Sequence, residues 1–376
     1  MTDAGSALFD QLRREPDVDA PDLVAVDATD RLLLDEAAAA IAASPGAVAV
    51  IDDSHGALTL GAVALHGATG VRVHQDLLVG ELALAANADR TGLAGSYATA
   101  PLGPELVDGA QVVLAKAPKS LDALRELVQV VAADADPGVT LYVGGRVKHM
   151  THGMNDVLAE GFTEVSATLA RQKSRVLVAR GPRPVSSSFP VCRQHADLGL
   201  TVCAHGAVFA GAKVDRGTRA LLAALPGAVR DAATALDLGC GTGVLAVALA
   251  TARPGLEVVA ADQSAAAVAS AVATAAANGL ADRVRVVRDD AAASLPDASV
   301  DLVVCNPPFH SGATVSEDIA QRLFAGAARV LRPGGELWCV YNSHLPHRDA
   351  LRRIVGPTRQ VSRDRTFTVT ASTRPA

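Results

Sequence analysis

Apolar and polar positions follow one another along this chain in a pattern that occurs twice. In the second half, the apolar run Ala233–Cys240 enters a glycine-rich loop, and Gly243–Ala252 continues as a helix. Leu256–Asp262 predicts a second strand, and Ser264–Leu280 an alanine-rich helix that Ser264 caps and Asn278-Gly279 ends. Arg283–Asp290 predicts a third strand and Val300–Phe309 a fourth. A helix over Glu317–Leu331, a turn at Arg332–Gly335 and a strand from Glu336 to Asn342 follow. Short apolar runs without alternation suit strands covered on both faces, and strands separated by helices imply a parallel, doubly wound α/β sheet. Such a sheet binds its ligand in the crevice at the carboxyl ends of its strands.

The first half repeats this plan faintly. Ala47–Leu65 can be laid over Ala233–Leu249, so that Ile51, Asp52 and Gly56 fall on Leu236, Asp237 and Gly241. Val71–Leu93 lies over Val258–Leu280, and Ala110–Ser120 over Val300–Ser311. Gln75 then stands where the second copy has Asp262, and Lys116 where it has Asn306. The pattern is that of an internal duplication whose first copy kept the fold and lost the site. The expected domains are 1–180, a degenerate copy; 181–204, a linker; and 205–376, the working copy. Arg171–Arg193 holds six basic residues and no Asp or Glu, with His195 just beyond. Its later part, with three prolines and three serines, reads as the linker.

Composition narrows the class. A chain of 376 residues, 49% hydrophobic, has room for two or three domains with sizeable cores. No uninterrupted apolar run is long enough to span a bilayer, since Pro45 and Gly46 break the nearest candidate, Ala37–Ile51. The N-terminus has no charged-then-apolar signal pattern. Five cysteines are scattered without a CxxC pair, which argues against a zinc site or a disulfide framework and fits a reducing cytoplasm. The net charge of −6 means that any nucleic-acid surface must be local. Two candidates are the basic stretch above and Arg348–Arg374, with seven arginines and two aspartates. Solvated surface charge is the plainer account of both.

The glycines stand at Gly239, Gly241 and Gly243, after Asp237. A dinucleotide loop would place its third glycine one position later, where Val244 stands. The GxGxG spacing resembles the first motif of class I S-adenosylmethionine-dependent methyltransferases, whose loop wraps the cofactor's methionine part. Asp262, 19 residues after Gly243, ends the second strand, where a carboxylate can accept from both hydroxyls of a ribose. Asp289 and Asp290 close the third, and Asp290 is the better placed to accept from an adenine amine. The expected cofactor residues are Asp237, Gly239, Cys240, Gly241, Gly243, Asp262, Asp290 and Asn306.

Asn306, Pro307, Pro308 and Phe309 carry the expected chemistry. Two prolines make a stiff, non-helical corner without N–H groups. The Asn306 side-chain oxygen and the Pro307 carbonyl can converge on one amino group and take both its hydrogens. An amine conjugated to a ring is a poor nucleophile; holding it so draws the nitrogen toward tetrahedral and aims its lone pair, without a strong base. Phe309 offers a face for a stacked base. The histidines show no convincing metal-ligand spacing, so no metal is expected. Cys240 and Cys305 suit small buried side chains better than nucleophiles.

Asn306-Pro307-Pro308-Phe309 followed by His310 resembles the signature of the ribosomal RNA guanine-N2 methyltransferases, and His205–Leu225 is similar to the segment leading into their glycine loop. Members carry an inactive methyltransferase-like domain ahead of the active one. Ala117–Leu127, Gly145–Gly153, Gln172–Ala179 and Asn342–Gly356 look closer to the large-subunit (23S) enzyme than to the small-subunit (16S) one. The resemblance implies two tandem Rossmann-like domains and methyl transfer from S-adenosylmethionine to a guanine N2 of ribosomal RNA or a ribosomal subunit. Fused twin domains could make dimerisation unnecessary, leaving a monomer. The alternatives are a 16S enzyme, an N6-adenine or protein-glutamine amine methyltransferase, and an RNA-binding assembly factor with no live site.

Overall fold

The computed structural model describes residues 7–18, 23–228, 231–307 and 313–376. Contacts divide the chain into two units, Met1–Phe189 and Pro190–Ala376. The first is built on β1 (Val48–Ile51), β2 (Val71–His74), β3 (Tyr97–Thr99), β4 (Val112–Lys116), β5 (Thr140–Arg146), β6 (Phe162–Ala167) and β7 (Ser174–Pro182), in the order β3-β2-β1-β4-β5-β7-β6. The second unit begins with a hairpin of β8 (Val191–His195) and β9 (Leu200–Ala204). Its main sheet comprises β10 (Thr234–Leu238), β11 (Glu257–Asp262), β12 (Val284–Arg288), β13 (Val300–Cys305), β14 (Leu331–Asn342), β15 (Thr358–Arg363) and β16 (Phe367–Thr373). Their order, β12-β11-β10-β13-β14-β16-β15, is the same topology strand for strand. The fold is α/β: two tandem Rossmann-like sheets, each parallel over five strands with two antiparallel strands at one edge.

Period-two alternation builds the core of the second unit. Ala235 of β10 faces one apolar layer and its neighbour Leu236 the other; Leu302 and Val303 of β13 divide likewise. Phe324 is fully buried in one layer, and burying a side chain of that kind contributes roughly 1.5–3 kcal/mol. The strand order reverses between β10 and β13, whose last residues Leu238 and Cys305 pair. The chain therefore leaves the sheet side by side at Gly239 and Asn306, at the switch point where such sheets bind ligands.

Register corrects the overlay of the two copies. Ile51 pairs with Ala115 of β4 as Leu238 pairs with Cys305 of β13, so Ile51 matches Leu238, two residues beyond the sequence overlay. Asp52, Ser54 and Gly56 then match Gly239, Gly241 and Gly243. The φ values agree: 58°, 50° and 90° in the first copy, 74°, 53° and 73° in the second. The degenerate loop thus keeps three left-handed positions after two glycines have been replaced, at roughly 1–2 kcal/mol each for a residue with a Cβ. Gln75 matches Asp262 as expected, and its Oε1 accepts from the Ser54 N–H at 3.2 Å, as Asp262 accepts from Gly241 at 3.0 Å.

Three further expectations change. Residues 181–204 are not a linker throughout, because β7 ends at Pro182 within the first sheet and the β8–β9 hairpin occupies 191–204. The hairpin docks on the helix Ala265–Ala277 through side chains. Thr274 bonds both the N–H and the carbonyl of Cys203, and Asn278 does the same for Thr201. The cysteines are also not all unpaired: Cys192 and Cys203 stand opposite each other in the hairpin and form a disulfide. Finally, β13 stops at Cys305; Pro308, Phe309 and His310 lie outside the described residues.

Candidate active site

Gly243 caps the helix Val244–Ala252 in a left-handed conformation, and a Cβ there would stand 2.9 Å from the Ala271 Cβ. Its role is close packing of two helices. Gly239 and Gly241 differ, since a Cβ on either would meet nothing within 4 Å. They leave open space along the loop while adopting φ values that favour glycine. Cys240 between them is turned inward. Its N–H bonds to the Ala261 carbonyl at 3.0 Å, and burial pushes its thiol well above its ordinary pKa.

Asp237 is fully buried at the end of β10. One of its oxygens accepts the Ala246 N–H at 3.0 Å, which satisfies an N-terminal amide of the following helix, and the other has no partner among the described residues. Burial pushes its carboxyl up to about 7; the Ala246 bond opposes this and the neighbouring Asp262 adds to it. Asp262 itself is part-exposed and bonds the backbone N–H groups of Gly241 at 3.0 Å and Ser264 at 2.9 Å. It ties the glycine loop to the start of the next helix.

At the third strand's end the two aspartates separate. Asp289 is buried and accepts from the N–H and hydroxyl of Ser294, the latter at 2.8 Å. Asp290 keeps 22% of its side chain exposed and pairs with Arg322. Asp289 is consumed in closing its own loop, which leaves Asp290 on the accessible side.

Asn306 stands at the end of β13 with its amide clamped at one end. Nδ2 donates to Asp215 Oδ2 at 3.2 Å and to the Thr218 hydroxyl at 3.0 Å. Oδ1 is buried and has no partner among the described residues. An orphaned buried acceptor costs about 1–3 kcal/mol and is rare enough in native structures to call for an explanation. Gly217 lies beneath it, and a Cβ there would come within 3.3 Å of Oδ1. Pro307 is buried beside Asn306.

Asp215 and Thr218 escaped the reading from sequence. Asp215 is the N-cap of the helix Arg216–Ala224, accepting from the Gly217 and Thr218 N–H groups. A signal existed: Val214-Asp215-Arg216-Gly217-Thr218-Arg219 parallels Val26-Asp27-Ala28-Thr29-Asp30-Arg31 in the first copy. There Asp27 caps the helix Ala28–Ala43, and Lys116, in the place of Asn306, bonds Asp27 at 3.1 Å and Asp30 at 2.5 Å.

The start of the helix Arg216–Ala224 borders a groove of about 490 Å³. Arg193 and His195 of the hairpin line it with Lys213, Val214 and Arg219. Asp197 is the one acidic side chain there, and it pairs with Arg219. Elsewhere the basic stretch is partly spent, since Arg171 pairs with Asp35 and Glu36. Near the C-terminus Arg359 bonds Glu336 and lies over the Trp338 ring. Among the described residues no group of three or more His, Cys, Asp or Glu is arranged to hold a metal, and no helix is long and apolar enough to cross a membrane.

Residues 199–371 match the methyltransferase small domain, and residues 4–183 match the RLMG N-terminal domain. The chain is 36% identical over 366 residues to a ribosomal RNA large subunit methyltransferase G of Pseudomonas aeruginosa (strain UCBPP-PA14), covering 95% of this chain and 96% of that protein. It belongs to the ribosomal RNA large subunit methyltransferase G family. Another methyltransferase G, of Streptomyces avermitilis, is 35% identical over 370 residues, covering 95% of each. Among solved structures, the chain is similar in fold to a T. thermophilus 16S rRNA N2 G1207 methyltransferase in complex with AdoMet and guanosine. That likeness has a TM-score of 0.74 at 23% identity and covers 93% of this chain and 92% of that one. Membership of the methyltransferase G family accounts for both copies of the sheet, since these relatives align over 95% of the chain.

Proposed function

We propose that this chain methylates the exocyclic N2 amine of a guanine in ribosomal RNA of the large subunit, with S-adenosylmethionine as donor. The observation that carries the reading is Asn306, whose Oδ1, without a partner among the described residues, sits at the sheet's switch point next to the chain leaving β10. S-adenosylmethionine, when bound, supplies a methyl group on a sulfonium and brings a second cation in its ammonium. The residues present fit such a group. Gly239 and Gly241 leave the loop open, Asp237 has an unpaired oxygen, and Asp262 and Asp290 remain accessible in part for ribose hydroxyls and an adenine amine. Cys240 contributes a buried apolar wall, and Gly243 sets the loop by its packing.

Asn306 Oδ1 accepts one hydrogen of the guanine amine and the Pro307 carbonyl the other, with Pro308 stiffening the corner and Phe309 stacking on the base. The amine's lone pair is then free of the ring and directed at the methyl; its surplus proton passes to water after transfer. Positioning and fixed dipoles supply this effect without a strong base. The guanine must be unpaired or flipped out to present its amine. The basic groove beside the helix Arg216–Ala224 suits the phosphates flanking that base, and the first unit serves RNA recognition or structure. Work on ribosomal RNA fits a cytoplasmic enzyme, and the fused twin domains fit a monomer.

The test is labelled methyl transfer to RNA and to ribosomal subunits from cells lacking the protein, with nucleoside mass spectrometry of the product. N2-methylguanosine in 23S RNA is expected. N6-methyladenosine, a label in protein, or a label only in 16S RNA would each redirect the reading, and no transfer at all would leave an RNA-binding assembly factor.

A further inference from the structure

An amide side chain has a polarity that a planar pocket does not choose by itself, because a half-turn exchanges oxygen and nitrogen. For an amino substrate the two settings are opposite in effect: oxygen accepts its hydrogen, whereas NH2 meets NH2. The surroundings of Asn306 decide the setting. The Asp215 carboxylate only accepts when ionised, so the end of the amide facing it must be Nδ2, and Thr218 takes the second hydrogen. Both donors are thereby used, and Oδ1 is left as a buried acceptor without a partner among the described residues.

We propose that Asp215 and Thr218 are positioning residues for the transfer, fixing the Asn306 amide so that its oxygen alone faces the substrate amine. This rests on the methyl-transfer reading above. A hydrogen bond from Nδ2 to a carboxylate also shifts electron density toward Oδ1 and strengthens it as an acceptor. Gly217 serves the same end, since its missing side chain keeps the space beside Oδ1 clear. The first unit supplies a built-in comparison. The helix cap and the strand end meet there too, but the side chain in the place of Asn306 is Lys116, an ammonium that donates to Asp27 and Asp30 and has no acceptor of its own. The contact is common to both copies, while the free oxygen belongs to the second.

The experiment compares Thr218→Val, which removes the hydroxyl at nearly constant shape, with Thr218→Ser, which restores it. Asp215→Ser keeps a capping hydroxyl for the helix while withdrawing the acceptor from Asn306. With ribosomal RNA as substrate, kcat should fall roughly 10- to 100-fold in Thr218→Val and Asp215→Ser and return in Thr218→Ser. The cofactor Kd by calorimetry, the KM for RNA and the melting temperature should stay close to wild type. An unchanged kcat, or a loss that follows cofactor affinity or melting temperature, overturns the proposal. The side-chain amide protons of Asn306, identified by their loss in Asn306→Ala, give a readout independent of activity. They should exchange with solvent faster in Thr218→Val, and equal exchange would also count against the clamp. A wild-type protein that transfers no methyl to RNA would instead remove the underlying reading.

Discussion

Lys116 and Asp30 form an ion pair at 2.5 Å at the site in the first unit where the second unit sets Asn306 against Thr218. The carboxyl of Asp30 is buried, with only 5% of its side chain exposed, and Asp27 shares the same ammonium. Removing one partner of such a cluster leaves charge without compensation. Lys116→Ala should therefore destabilise the first unit by about 3–5 kcal/mol. Urea unfolding should resolve this as an earlier first transition, with the affinity of the second unit for S-adenosylmethionine unchanged.

Asn306→Ala removes the acceptor that the proposed chemistry needs and leaves the glycine loop intact. Methyl transfer to RNA should drop by at least about 100-fold, the scale set by loss of a preorganised polar partner. Calorimetric binding of the cofactor should remain near normal. Parallel loss of both would contradict the division of labour between the two loops.

The glycines should separate by substitution. Gly241→Ala places a Cβ in open space at a φ of 53°, for a stability cost of roughly 1–2 kcal/mol, and should weaken cofactor binding strongly. Gly243→Ala drives a Cβ to 2.9 Å from Ala271 and should be the more destabilising of the two. Thermal melts with and without S-adenosylmethionine measure both effects.

Asp237 makes a pH prediction. Its carboxyl is pushed by burial from an ordinary value of 3.8 to about 7, so the folded protein holds this proton more tightly than the unfolded chain does. The group's contribution to stability is therefore lost as pH rises from about 4 to about 7 and levels off above that. Asp237→Asn should flatten this slope in the free protein, with the stability gap from wild type widening toward pH 7. A cationic ligand favours the ionised carboxylate, so cofactor affinity should rise over the same window and binding should release protons. Calorimetry in buffers of different ionisation enthalpy detects that release.

Charge reversal in the groove should act on RNA alone. Arg193→Glu or Lys213→Glu should raise the KM for RNA and reduce the salt dependence of binding by about one phosphate contact each. The kcat at saturating RNA and the cofactor Kd should not move. A KM for RNA indifferent to both substitutions would take the groove out of the substrate path.

Much of this molecule follows from local pattern. The apolar runs that became β10, β11 and β13 are unmistakable because a strand covered on both faces cannot carry alternating polar residues. Ser264 caps its helix through Ala267 as its position implied, since capping needs nothing beyond the next turn. Gly239, Gly241, Asp262 and Asn306 could be singled out in the sequence because a loop's conformation and a strand's end restrict which residues can stand there.

What required the tertiary structure was every relation across distance. Sequence overlay placed Gly56 on Gly241, and only pairing with β4 and β13 moved it to Gly243, because register is set by neighbouring strands. Cys192 and Cys203 share no motif; the hairpin register brings them face to face. Asp237 commits one oxygen to the helix that follows and keeps the other without a partner among the described residues, a division set only when that helix packs. Asp215 and Thr218 lie 91 and 88 residues from Asn306, and no local signal could say which end of its amide they hold. The chain by itself determined the two sheets and the residue types that end their strands. Folding decided which end of the Asn306 amide is held, because hydrogen bonds between distant segments exist only once both are packed.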